Sequence, residues 1–134
     1  MSLPTSLASL VAALQGEGET PVPPASWERG ARRFLAPDEI VLLALRGNGF
    51  TWWEPLLLVT DRRVLHLRQG AFLPYRLIRE LPAQEIASAE FRQRSIGWGP
   101  VIVRPHRGRR IWIRSNGDAL AQRFVDGLNG LLPG

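Results

Sequence analysis

A chain of 134 residues with 45% apolar content is long enough for one folded domain with a real core, and its composition excludes wholesale disorder. It holds no cysteine, which removes disulfides, thiolate zinc sites and cysteine nucleophiles. The formal net charge is +5 and all 17 basic residues are arginines, so anionic partners are open to it through bidentate guanidinium contacts.

Leu3, Leu7, Leu10 and Leu14 recur at helical spacing and predict an amphipathic helix over residues 1–15. Its leucine face needs a home, either on its own domain or on a second copy, which makes it a candidate self-association helix. No cation precedes this run, as a secretory leader would require, and no stretch approaches the roughly 20 apolar residues of a bilayer span. The expectation is a cytoplasmic protein, peripheral to a membrane at most. Residues 16–24, rich in Gly, Glu and Pro, read as a linker. The folded domain is expected over 25–134. It opens with a short helix capped by Ser26 that places Trp27, Ala31, Phe34 and Leu35 on one face.

Seven short strands follow. The first runs from Ile40 to Arg46 after a turn at Ala36-Pro37-Asp38-Glu39. The second and third form a hairpin at 54–68, EPLLLVTDRRVLHLR, in which Thr60-Asp61-Arg62-Arg63 is the turn and Asp61 bonds nearby backbone. A fourth strand spans Tyr75 to Leu81 before Pro82. The fifth, Ile86 to Gln93, sets Ala87, Ala89 and Phe91 on one side and Ser88, Glu90 and Arg92 on the other. Val101 to Arg104 and Arg110 to Arg114 complete the set, with Ile111 and Ile113 inward and Arg110, Trp112 and Arg114 outward. A C-terminal helix is expected over 117–132. Leu120, Phe124 and Leu128 form its stripe, widened by Ala121, Val125, Leu131 and Leu132.

The hairpin LLLVTDRRVLHLR at 56–68 and the segment LIRELPAQEIASAEFR at 77–92 resemble bacterial PH domains and the related GRAM domains. The resemblance lies in the Thr-Asp-x-Arg turn, the Leu81-Pro82 step into a strand opening at Ile86, and the terminal helix. It covers about Asp38 to Leu132. It implies a mainly β fold with α: a pleckstrin-homology-like, seven-stranded antiparallel barrel or sandwich capped by a C-terminal helix, here with an N-terminal helical extension. In PH-like domains the first inter-strand loop often contributes cations to headgroup binding. Here that loop, 47–54, is aromatic instead, with Phe50, Trp52 and Trp53.

Nothing in the sequence points to catalysis, a cofactor or a metal. The two histidines, His66 and His106, sit on different segments, and no phosphate loop or nucleophile elbow occurs. Between Phe91 and Gly117 no acid appears, whereas Arg92, Arg94, Arg104, Arg107, Arg109, Arg110 and Arg114 do, together with Trp112. That set is a candidate anion or lipid face. Phe50, Trp52 and Trp53 form a candidate aromatic interaction loop, suited to a protein hot spot or a membrane interface. The sequence therefore predicts a non-catalytic binding module. A protein partner or self-association ranks first, an anionic membrane surface second, and nucleic acid is disfavoured.

Overall fold

A computed structural model of the chain describes residues 5–15, 33–47, 53–70, 76–95, 99–115 and 117–132. A helix, α1 (Thr5–Gln15), precedes seven strands: β1 (Val41–Arg46), β2 (Trp53–Thr60), β3 (Arg63–Gly70), β4 (Arg76–Pro82), β5 (Ile86–Phe91), β6 (Pro100–Pro105) and β7 (Ile111–Arg114). A single 3-10 turn, Ala83–Glu85, links β4 to β5, and a second helix, α2 (Asp118–Leu131), closes the chain. All strand pairs are antiparallel, in one sheet ordered β1-β2-β3-β4 and a second ordered β5-β6-β7. The short helix expected before β1 lies mostly outside the described residues. At its end Leu35 is buried and Phe34 half-buried.

The apolar run Leu56 to Val59 shows how the layers are stacked. Successive strand residues point to opposite faces, so four buried residues in a row need cover on both sides. Leu57 and Val59 enter the core between the sheets, with Leu45, Val64, Val101, Val103, Ile111 and Ile113. Leu56 and Leu58 join Val41, Ala44, Leu65 and Leu67 on the opposite face, where Leu10 of α1 and Leu35 cover them. Each such leucine contributes about 1.5–3 kcal/mol by leaving water. The first sheet is thus a central layer, between α1 and the second sheet.

The sheets do not close into a barrel. Among the described residues they join by one bridge, Gly47 to Ser115. A Cβ at Gly47 would lie 2.6 Å from the Arg114 carbonyl oxygen, so the close approach at this seam requires glycine. Elsewhere α2 fills the gap between β1 and β5, burying Ala121, Phe124, Val125 and Leu128. Asn129 does for β5 what a neighbouring strand would: its Oδ1 accepts from the Ala89 amide and its Nδ2 donates to the Ala89 carbonyl, both at 2.9 Å. Two details of the expected faces change. On α2 Leu120, and Leu132 just beyond its end, pack half-buried against the core as expected, but Leu131 is exposed. In β5 a bulge between Ile86 and Ser88 buries Ile86 and Ala89 while Ala87 faces out, so Ala87 and Ala89 differ in exposure.

A buried ion pair fixes the entry into β1. Glu39 is fully buried, and Arg63 grips both of its oxygens, Nε to Oε2 at 3.0 Å and Nη2 to Oε1 at 2.8 Å. Thr60 Oγ1 donates to Oε2 at 2.6 Å and the Ala36 amide to Oε1 at 3.1 Å. Burial pushes the Glu39 carboxyl up, but these hydrogen bonds and the Arg63 charge outweigh it and bring its pKa down to about 2. The hairpin turn itself is held by Thr60, whose Oγ1 accepts from the Arg62 and Arg63 amides at 3.1 Å. Asp61 bonds a distant segment rather than its own turn: its Oδ1 accepts from the Ile40 amide at 3.1 Å and its amide donates to the Ile40 carbonyl at 2.9 Å.

Candidate functional site

In the second sheet Ile111 and Ile113 are buried against the core, while Trp112 and Arg114 point outward, Trp112 being 56% exposed. The alternation read from the sequence holds here. The turn between β6 and β7 carries Arg107, Arg109 and Arg110, all exposed, around Gly108 at a φ of 93°. That left-handed conformation suits glycine and disfavours a side chain.

The first sheet brings one further arginine, Arg79, to this turn. Across β3 and β4, Arg68 pairs with Arg76 and Leu67 with Leu77, but His66 pairs with Arg79. Ile78 is therefore an extra residue, a bulge that reverses the alternation of β4 beyond it. Leu65 and Leu67 lie in the core under α1, so His66 and Arg79 take the other face, toward the second sheet. There the Arg79 guanidinium donates to the Arg109 carbonyl and ties β4 to the β6–β7 turn. His66 sits alongside. Burial first, then the charges of Arg68 and Arg79, lower its pKa to about 4, so it is neutral at pH 7. Glu80, next to Arg79 in sequence, turns to the opposite face and pairs with Arg63 at 3.0 Å. The guanidinium groups of Arg76, Arg79, Arg107, Arg109 and Arg110 pair with no carboxylate among the described residues.

The arginine face expected from sequence divides accordingly. Arg107, Arg109 and Arg110 belong to this end, with Trp112 and Arg114 on the adjoining outer face of β7. Arg92 and Arg104 share Glu90: Arg104 Nε reaches it at 3.1 Å, its Nη2 makes a second contact, and Arg92 Nη2 lies at 3.3 Å. The Arg104 hydrogen bond, more than any other contact, holds the Glu90 carboxyl below its ordinary range. Glu90, Ile102 and Trp112 form one cross-strand row on that outer face. Arg94 is exposed beyond the end of β5, apart from the turn.

Phe50, Trp52 and Leu3 lie outside the described residues, as do the side chains of Trp53, Leu7 and Leu14. Leu10 is buried under its own domain. Helix α1 is also fastened there by polar contacts, the Val41 amide donating to Ser9 Oγ at 2.8 Å and the Ser6 amide to the Pro37 carbonyl at 3.2 Å. The sequence reading missed Arg68, Arg76 and Arg79. A signal existed in the shared parity of His66 and Arg68 along β3, but only the β4 bulge and the packing of the two sheets bring Arg79 to the turn.

Among the described residues no group of three His, Asp or Glu side chains could hold a metal ion, and no helix is long and apolar enough to cross a membrane. No protein-family model matches the chain, and no curated protein matches it.

Proposed function

We propose that the chain is a non-catalytic, PH-like binding module that docks on an anionic membrane surface through its arginine-lined end. The PH-like part of this reading is supported by the strand order, four antiparallel strands followed by three, and by the C-terminal helix over the gap between the sheets. The observation that carries the function is the meeting of Arg79 from the first sheet with the turn that carries Arg107, Arg109 and Arg110, four guanidinium groups that form no ion pair among the described residues, with the exposed Trp112 following on β7. Such a surface offers phosphates several charge-assisted contacts and offers the interface an amphipathic ring.

The membrane reading moves ahead of self-association because Leu10, the one residue of the leucine face whose side chain is described, is occupied by the domain itself. A protein partner is the second reading. Leu42, exposed on β1, lines with Ala13, Leu43, Leu120 and Phe124 a cavity of about 240 Å³ between α1 and α2, and Ile40 just before β1 is exposed as well. Sedimentation with phosphatidylcholine vesicles, with and without phosphatidylglycerol, separates the two. Membrane docking requires binding only to the anionic vesicles, weakening steeply with salt. Equal failure with both vesicle types would leave the protein-partner reading.

A further inference from the structure

We propose that Arg79 is a positioning residue of the arginine-lined end, gripping the β6–β7 turn so that Arg107, Arg109 and Arg110 meet one anionic surface together. This rests on the membrane reading above and adds to it a residue that the sequence reading left out.

Three features of the fold converge on Arg79. The bulge at Ile78 is the first: without the extra residue, His66 would face Ile78, and Arg79 would point to the α1 side with Leu65. Its guanidinium then donates to the Arg109 carbonyl, in the middle of the exposed turn. The turn reaches back in return, since a Cβ on Gly108 would lie 3.8 Å from Arg79 Nη2. His66, the side chain paired with Arg79 across the strands, is neutral at pH 7 and adds no repelling charge there.

An untethered turn carrying three long side chains would lose backbone and rotamer freedom on binding. Holding the turn beforehand removes part of that cost. Arginine suits the task because its planar fork can bond a carbonyl while keeping other N–H groups directed outward. Lysine keeps the charge but lacks the fork.

The test compares Arg79→Lys and Arg79→Gln with the wild type in two measurements: partitioning onto phosphatidylglycerol vesicles, and amide hydrogen exchange over residues 106–110. Positioning predicts that Arg79→Lys loses about three- to tenfold in affinity although its charge is retained. It also predicts faster exchange in the turn for both variants and an unchanged melting temperature. Wild-type affinity in Arg79→Lys, with a loss only in Arg79→Gln, would make Arg79 a simple charge and overturn the proposal. Unchanged exchange in both variants would overturn it as well. If the wild-type protein binds no vesicles, the membrane reading fails, and the exchange measurement alone decides whether Arg79 holds the turn.

Discussion

Replacing Arg63 by alanine should invert the pH dependence of stability. In the wild type Glu39 is fully buried, and its carboxyl is brought from 4.5 to about 2 by Arg63, Thr60 and the Ala36 amide acting against burial. A group with a depressed folded-state pKa stabilises fully above its unfolded value, and that contribution is lost as the pH falls through the folded value. The Glu39 shift corresponds to about 3 kcal/mol, gained between about pH 2 and about pH 4.5.

In Arg63→Ala the carboxylate keeps its dry site but loses both guanidinium bonds, and the Phe34 carbonyl loses its 2.6 Å donor. Breaking a buried pair by removing one partner costs about 3–5 kcal/mol at neutral pH. The orphaned carboxyl then has a folded pKa above its unfolded one, so the variant's stability should fall as the pH rises past the ordinary glutamate range. Urea unfolding followed by tryptophan fluorescence across that range reads both effects. A loss below about 1 kcal/mol, or a variant whose stability still rises with pH as the wild type's does, would refute the assignment of Glu39 and Arg63 as the lock on β1.

Leu10→Ala should cost about 2–4 kcal/mol, because Leu10, on the sheet-facing side of α1, is 3% exposed; near-wild-type urea unfolding would mean that α1 does not need its seat on the sheet. The same residue bears on assembly: if Leu10 serves only its own domain, light scattering of the wild type should give a mass near 15.0 kDa at low and high salt, and a stable multiple would revive self-association. Asn129→Ala should cost about 1–3 kcal/mol by leaving the Ala89 amide and carbonyl without their partner, with faster amide exchange at Ala89 as the local signature.

The strands were legible where a local pattern carried them. Leu56 to Val59 and Val64 to Leu67 announced the hairpin through β-rich runs around a polar turn, and Ile111-Trp112-Ile113-Arg114 declared its faces by alternation. The pattern breaks at the bulges. A single extra residue at Ile78, or the irregularity between Ile86 and Ser88, reverses the side of every residue beyond it and has no period-2 signature of its own. Glu39 looked like an ordinary turn acid because its partners, Thr60 and Arg63, lie more than twenty residues downstream. Asn129 carried no sequence signal, because its pairing with Ala89 spans forty residues. The candidate site shows the same division. Arg107, Arg109 and Arg110 stood out as a cluster in sequence, whereas Arg79 joins them only through tertiary contact, and Arg92 and Arg104 drop out once Glu90 is seen between them.

The most direct test of the membrane reading is the partitioning of two matched variants onto phosphatidylglycerol vesicles. Arg109→Ala with Arg110→Ala and Arg92→Ala with Arg94→Ala remove the same charge from different places. At about 1 kcal/mol for each arginine near an anionic surface, the first pair should weaken binding about 30-fold and the second very little. An equal loss from both pairs would mean that net charge, and not the arginine-lined end, accounts for the binding, and no loss from the first would contradict the site outright.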